Sequence, residues 1–194
     1  ATSYSGTNTD VNFNGHLDFQ PDLVWLKCRN VAKDHRLYDS VRGATKFLES
    51  NNTGSEATAS TSLTSFDSNG FTLGAASTTN SNNDTFVAWN WKAGGTAVSN
   101  TDGSITSQVS ANKDSGFSIV SYTGNGNTAQ QSYGHGLSSA PELLITKNRD
   151  TLTLGTNFWV VGGTLLGNGG YMFLNSTNAK NTASSYNGNQ VPDS

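Results

Sequence analysis

Charge is scarce in this sequence. Only 13% of its 194 residues are Asp, Glu, Lys or Arg, and the net charge is -3. A chain so weakly charged has no electrostatic grip on nucleic acid or on an anionic membrane, and both partner classes are excluded from the expectation. Cysteine occurs once, as Cys28 inside an apolar run, so no internal disulfide holds the fold and the thiol reads as a small buried hydrophobe. Helix formers are equally thin: one Met, three Glu (Glu49, Glu56, Glu142) and no sustained apolar spacing of three and four. No apolar run approaches the ~18 residues of a membrane span. The opening residues lack a basic start followed by an apolar segment, so no signal peptide is expected.

What fills the space is small and polar. The chain holds 23 Asn, 25 Ser, 24 Thr and 21 Gly, the composition of many short strands joined by turns. Its length allows one large β domain or two small ones. The organising stretch is Pro21-Asp-Leu-Val-Trp-Leu-Lys-Cys-Arg29, which recurs as Pro141-Glu-Leu-Leu-Ile-Thr-Lys-Asn-Arg149. A proline suits the first position of a strand, and the runs that follow are rich in residues that favour strands. Alternation puts Leu23, Trp25, Lys27 and Arg29 on one side and Val24, Leu26 and Cys28 on the other. Lys27 and Arg29 read as the solvated end of a core strand.

Other landmarks repeat in the same order. Ser3-Tyr-Ser-Gly6 returns as Ser121-Tyr-Thr-Gly124, Gly15-His16 as Gly134-His135, and the proline strand follows, at offsets of 118, 119 and 120 residues. Such a slow drift is what duplication with small insertions leaves. Thr45-Lys-Phe-Leu-Glu-Ser50 is echoed by Tyr171-Met-Phe-Leu-Asn-Ser176. Between these lie a short strand around Leu37, and Leu63 to Phe66 with Phe71 to Leu73 as a hairpin. Its turn, Asp67-Ser-Asn-Gly70, is expected to use positive φ at Asn-Gly. Thr85-Phe-Val-Ala-Trp-Asn-Trp-Lys92 is the most aromatic strand. Its alternation separates Val87, Trp89 and Trp91 from Phe86, Ala88 and Asn90, and the tryptophan face is expected to pack inside, Trp89 foremost.

The domain expectation is a β-sandwich unit over residues 1–95, an exposed connection over 96–116 with room for one short edge strand near Ile105 and Val109, and a second, related unit over 117–194. The second unit carries no counterpart of the hairpin or of the tryptophan strand. The fold class is all-β: antiparallel β-sandwich modules, jelly-roll or lectin-like, in tandem.

Pro21-Asp-Leu-Val-Trp-Leu-Lys27, Asp39-Ser-Val-Arg-Gly43, Ser65-Phe-Asp-Ser-Asn-Gly-Phe-Thr-Leu-Gly74 and Phe86-Val-Ala-Trp-Asn-Trp-Lys-Ala-Gly-Gly95 together resemble a repeat of marine bacteriophage, cyanophage-type, virion structural and tail-fibre proteins. Gly103-Ser-Ile-Thr-Ser-Gln-Val-Ser-Ala-Asn112 with Gly116-Phe-Ser-Ile-Val-Ser-Tyr-Thr-Gly124 is similar to the junction between such repeats. The resemblance implies a tandem, sandwich-like structural module of the virion, with no catalytic residues to carry over.

A search for chemistry in the residues is mostly negative. No glutamate lies within alternating reach of a second acid, as a glycosidase pair on one strand requires. No Gly-x-Ser-x-Gly elbow occurs, and Gly124-Asn-Gly126 lacks the rest of a dinucleotide fingerprint. His16, His35 and His135 are too scattered for a metal site, and the equivalent places of His16 and His135 point to a shared structural hydrogen bond. Asn80-Ser-Asn-Asn-Asp84 and Asn100-Thr-Asp102 offer oxygen ligands but follow no regular calcium loop, and Asx turns account for them. Asn51, Asn83 and Asn175 start glycosylation-type triplets that a chain this rich in Asn, Ser and Thr supplies by chance. No catalytic, metal or cofactor-binding residue is therefore assigned. The expected function is a non-enzymatic virion structural module (tail fibre, tail or capsid decoration), a homo-oligomer of trimeric type that contacts other virion proteins and displays a host- or glycan-facing surface. The alternative is a carbohydrate-binding, lectin-like module of a secreted or cell-surface protein.

Overall fold

The computed structural model describes residues 1–127, 130–150, 157–167 and 169–182. The end of the expected second unit, 183–194, lies outside the described residues, as does 151–156. In chain order the strands are β1 (Thr2–Ser5), β2 (Val11–Asn12), β3 (Leu23–Cys28), β4 (Arg36–Asp39), β5 (Lys46–Glu49), β6 (Ala57–Thr58), β7 (Leu63–Asp67) and β8 (Gly70–Leu73). After a single helical turn, α1 (Ser77–Asn80), come β9 (Thr85–Trp91), β10 (Val98–Asn100), β11 (Ser107–Asn112), β12 (Phe117–Tyr122), β13 (Leu144–Thr146), β14 (Val160–Gly162) and β15 (Met172–Phe173). The fold is all-β, and among the described residues every strand pairing is antiparallel.

The main sheet has six strands in the order β1-β9-β3-β4-β5-β6, and a three-stranded sheet, β2-β8-β7, packs on its inner face. Val24 and Leu26 of β3, Tyr38 of β4, Phe47 of β5 and Ala88 of β9 meet Leu63, Phe71 and Leu73 of the smaller sheet. That is the face-to-face packing of a sandwich. A run of rings crosses the layers: Phe86 stacks on Tyr4 at 5.1 Å, Tyr4 tilts on Phe13 at 4.6 Å, and Phe13 stacks on Phe71 at 5.0 Å. Strand β3 alternates half-buried and buried along its whole length, with Val24, Leu26 and Cys28 inside.

The paired residues before and after the sheet explain the organising motif. Asp22 is 2% exposed. Its Oδ2 accepts from the amides of Ala93 (2.8 Å) and Gly95 (3.3 Å), and its Oδ1 accepts from Ser40 Oγ (3.0 Å) and Gln20 Nε2 (3.3 Å). One buried side chain thus stitches the start of β3 to the Gly94-Gly95 exit of β9, with both oxygens satisfied.

Two expectations change. The turn between β7 and β8 does not use positive φ at Asn69 or Gly70. Gly70 is instead required by a close approach, because a Cβ there would lie 2.3 Å from the Phe13 carbonyl oxygen. Residues 96–116, expected as an exposed connection, contribute β10 and β11, and β11 is the central strand of a sheet β10-β11-β12. Ser107, Val109 and Ser110 are buried there, and Gly94 runs so close to the Ala111 backbone that no side chain fits between. The last sheet is β13-β14-β15.

Candidate functional site

Because strands alternate, filling the sandwich with Phe86 and Ala88 turns Val87, Trp89 and Trp91 to the outer face of the main sheet. This overturns the expectation that Trp89 is core: it is 41% exposed, whereas Phe86 and Ala88 are fully buried. The reason is space. Ala88 sits opposite Leu26 on one side and Thr2 on the other, in a layer already occupied by the Phe86, Tyr4 and Phe13 rings. An indole has no room there.

The outer face therefore carries a row of indoles. Trp25 and Trp89 are direct register partners, and Leu23 faces Trp91. Trp25 meets Trp89 edge-on at 6.1 Å and Trp91 at 6.5 Å, and Trp91 stacks on Phe117 of β12 at 6.3 Å. Trp25 and Trp91 are half-buried. At the far side of the face Leu37 and Leu48 are closed over by Trp159, whose Nε1–H donates to the Glu49 carbonyl at 2.7 Å. Beyond Trp89 the same face continues through Lys27 and Val87 to Ser3. Lys27 Nζ donates to the Cys28 carbonyl, and Arg29 reaches Ser3 Oγ at 3.5 Å. Among the described residues the indole N–H groups of Trp25, Trp89 and Trp91 have no acceptor within the chain, which leaves three donors beside a flat apolar surface. Stacking and edge hydrogen bonding are what such a surface offers.

The remaining polar groups serve the fold. Arg42 is buried against Asp39, donates to the Leu37 carbonyl at 3.0 Å and pairs with Glu56 at 3.2 Å, and Arg149 joins Glu56 at 3.7 Å. Lys147 Nζ donates to the carbonyls of Asn157 (2.8 Å) and Thr53 (3.5 Å), while desolvation pushes its amine down to about 8. His35 is held below the usual histidine range, first by burial and then by Lys27, against the opposing pull of Asp34. His135 Nδ1 accepts from the Leu137 amide at 3.0 Å, whereas the His16 ring lies edge-on to Phe13 at 6.0 Å.

The oxygen-rich loops are internally used. Asn80 Oδ1 accepts from the Thr7 amide while its Nδ2 donates to the carbonyls of Thr9 and Gly74. Asp84 pairs with Lys33 at 2.6 Å, which, with Ser81, holds its carboxyl below the usual range. Asn100 Oδ1 accepts from the Asp102 amide at 2.8 Å, an Asx turn. Asn51 and Asn175 accept from the backbone amides of His35 and Trp159. Among the described residues no three His, Cys, Asp or Glu side chains gather as a metal site, and no helix is long and apolar enough to cross a membrane. A shallow groove of about 440 Å³ opens beside Asp22, between Lys92 and Lys113.

Sequence reasoning missed two contributors. Trp159 has no echo in the first half that would mark it, and the role of Asp22 depends on Gly95, which is remote in sequence. No curated protein and no solved structure matches the chain. The family described as a domain of unknown function (DUF7483) matches residues 1–194, the whole sequence, and the chain belongs to that family.

Proposed function

We propose that this chain is a non-enzymatic structural module of a bacteriophage virion, in a tail fibre, tail or capsid decoration, that assembles with itself and with other virion proteins and works through a displayed surface. The observation that carries the contact role is the Trp25, Trp89 and Trp91 row on the outer sheet face, with Trp89 41% exposed. Aromatic side chains held rigid on a sheet are efficient contact groups, because little conformational freedom is lost when a partner covers them. The virion setting is supported by the resemblance of the four motifs above to marine phage repeats. Light scattering on the purified chain should report an oligomer, with a trimer expected, and imaging of the parent particle should find the chain on its exterior. A monomer at high micromolar concentration, with no copy on the particle, overturns this reading.

A second reading, a carbohydrate-binding module, is favoured by the pairing of the exposed Trp89 ring with unclaimed indole N–H donors, since a sugar presents an apolar face and a rim of hydroxyls. Titration with host-surface polysaccharide followed by tryptophan fluorescence separates the two. A saturable change supports sugar binding, and a flat response at millimolar sugar removes it.

A further inference from the structure

In the main sheet β9 lies between β1 and β3, and β3, β4 and β5 follow in antiparallel order. The order β13-β14-β15 repeats the order β3-β4-β5, again antiparallel throughout. With the proline motifs aligned, Leu144 to Thr146 fall on Val24 to Leu26. By place in the sheet the cross-strand row Trp25, Leu37, Leu48 has its counterpart in the row Ile145, Val161, Met172, while the sequence echo sets Leu48 on Leu174, two residues further along. Strand β12 echoes β1 through the Ser-Tyr landmark.

What the second set lacks among the described residues is a β9. Among the described residues β12 and β13 are each the last strand of their own sheet. The side chains register the gap. Leu23 and Trp25 are half-buried opposite Trp91 and Trp89, whereas their counterparts Leu143 and Ile145 are 50% and 42% exposed. No charge or proline interrupts Leu143 to Thr146 along this edge.

We propose that β12 and β13 form an acceptor slot for a β-strand of the Thr85–Trp91 pattern, supplied by another stretch of polypeptide carrying the same repeat. The entering strand runs antiparallel to both, as β9 does to β1 and β3. It sets aromatic side chains opposite Leu143 and Ile145, as Trp91 and Trp89 stand opposite Leu23 and Trp25, and a small residue opposite Thr146, as Ala88 stands opposite Leu26. Main-chain hydrogen bonds hold the strand and the aromatic positions select it.

The test adds a synthetic peptide of sequence Thr85 through Lys92 to the full chain and follows amide hydrogen exchange. Exchange over residues 117–122 and 144–146 should slow by about tenfold or more, with β3 and β9 unaffected. The same peptide with proline in place of Ala88 should do nothing, and Ile145→Glu in the chain, at unchanged circular dichroism, should abolish the slowing. No slowing at millimolar peptide, equal slowing by the proline peptide, or slowing confined to residues 1–95 overturns the proposal. If the free peptide self-associates, the same comparison is made with the strand tethered after Ser194 by a Gly/Ser linker, with the same deciding outcomes.

Discussion

Asp22 shows how one side chain can hold a topology. Its two oxygens accept four hydrogen bonds from Gln20, Ser40, Ala93 and Gly95 in a buried setting. Removing them leaves two backbone amides unpaired, and buried donors without partners cost about 1–3 kcal/mol each. Asp22→Ala should therefore lower unfolding stability by about 3 kcal/mol or more in a denaturant titration, with Asp22→Asn falling between it and the parent. Phe86 makes the complementary case for packing. It is fully buried against Tyr4, so Phe86→Ala should cost about 3–5 kcal/mol in the same titration. A loss under about 1 kcal/mol would mean that the ring is not core.

At the scale of elements, most strands were legible, because alternation, turn residues and prolines act locally. Strand β3 and β9 fall where the apolar runs are, and the β7–β8 hairpin falls on Asp67 to Gly70. Which face of β9 turns inward was not legible. Both of its faces carry aromatic rings, and the choice depends on Tyr4, itself packed on Phe13, stacking on Phe86 and on Trp159 and Phe117 arriving from later in the chain to shelter part of the other face. The conformation at Gly70 was misread for a similar reason: the demand comes from the Phe13 carbonyl, a contact between distant segments. Gly70→Ala should accordingly destabilise by about 1–3 kcal/mol through overpacking. If the turn itself were the constraint, Asn69→Ala would be the more damaging change, and comparing the two melts decides it.

The whole molecule should be most sensitive to alkali. Burial, aided by Tyr38 and Cys28, pushes the Tyr4 phenol far above its ordinary range, burial likewise raises Tyr38, and Tyr133 is pushed up to about 12. In the unfolded chain these phenols ionise near pH 10. Above that pH the unfolded state binds fewer protons than the folded one, so stability falls as pH rises. The contribution is fully present below about pH 10 and is lost progressively above it. Tyr4→Phe should flatten that fall while removing the hydrogen bond from Tyr4 Oη to the Thr79 carbonyl. An unchanged alkaline slope would show that Tyr4 is not the group responsible.

In the proposed role the outer indole face of the main sheet makes contacts outside the chain, while the inner face holds the fold. The most direct measurement is co-sedimentation of Trp89→Ala and parent protein with host cells and with parent particles, each paired with a thermal melt. Trp89→Ala should melt within about 1 kcal/mol of the parent and lose binding at least tenfold, roughly the 1.4 kcal/mol or more expected of a contact hot spot. A mutant that binds as well as the parent, or one destabilised by about 3–5 kcal/mol as a core truncation would be, contradicts the proposed role.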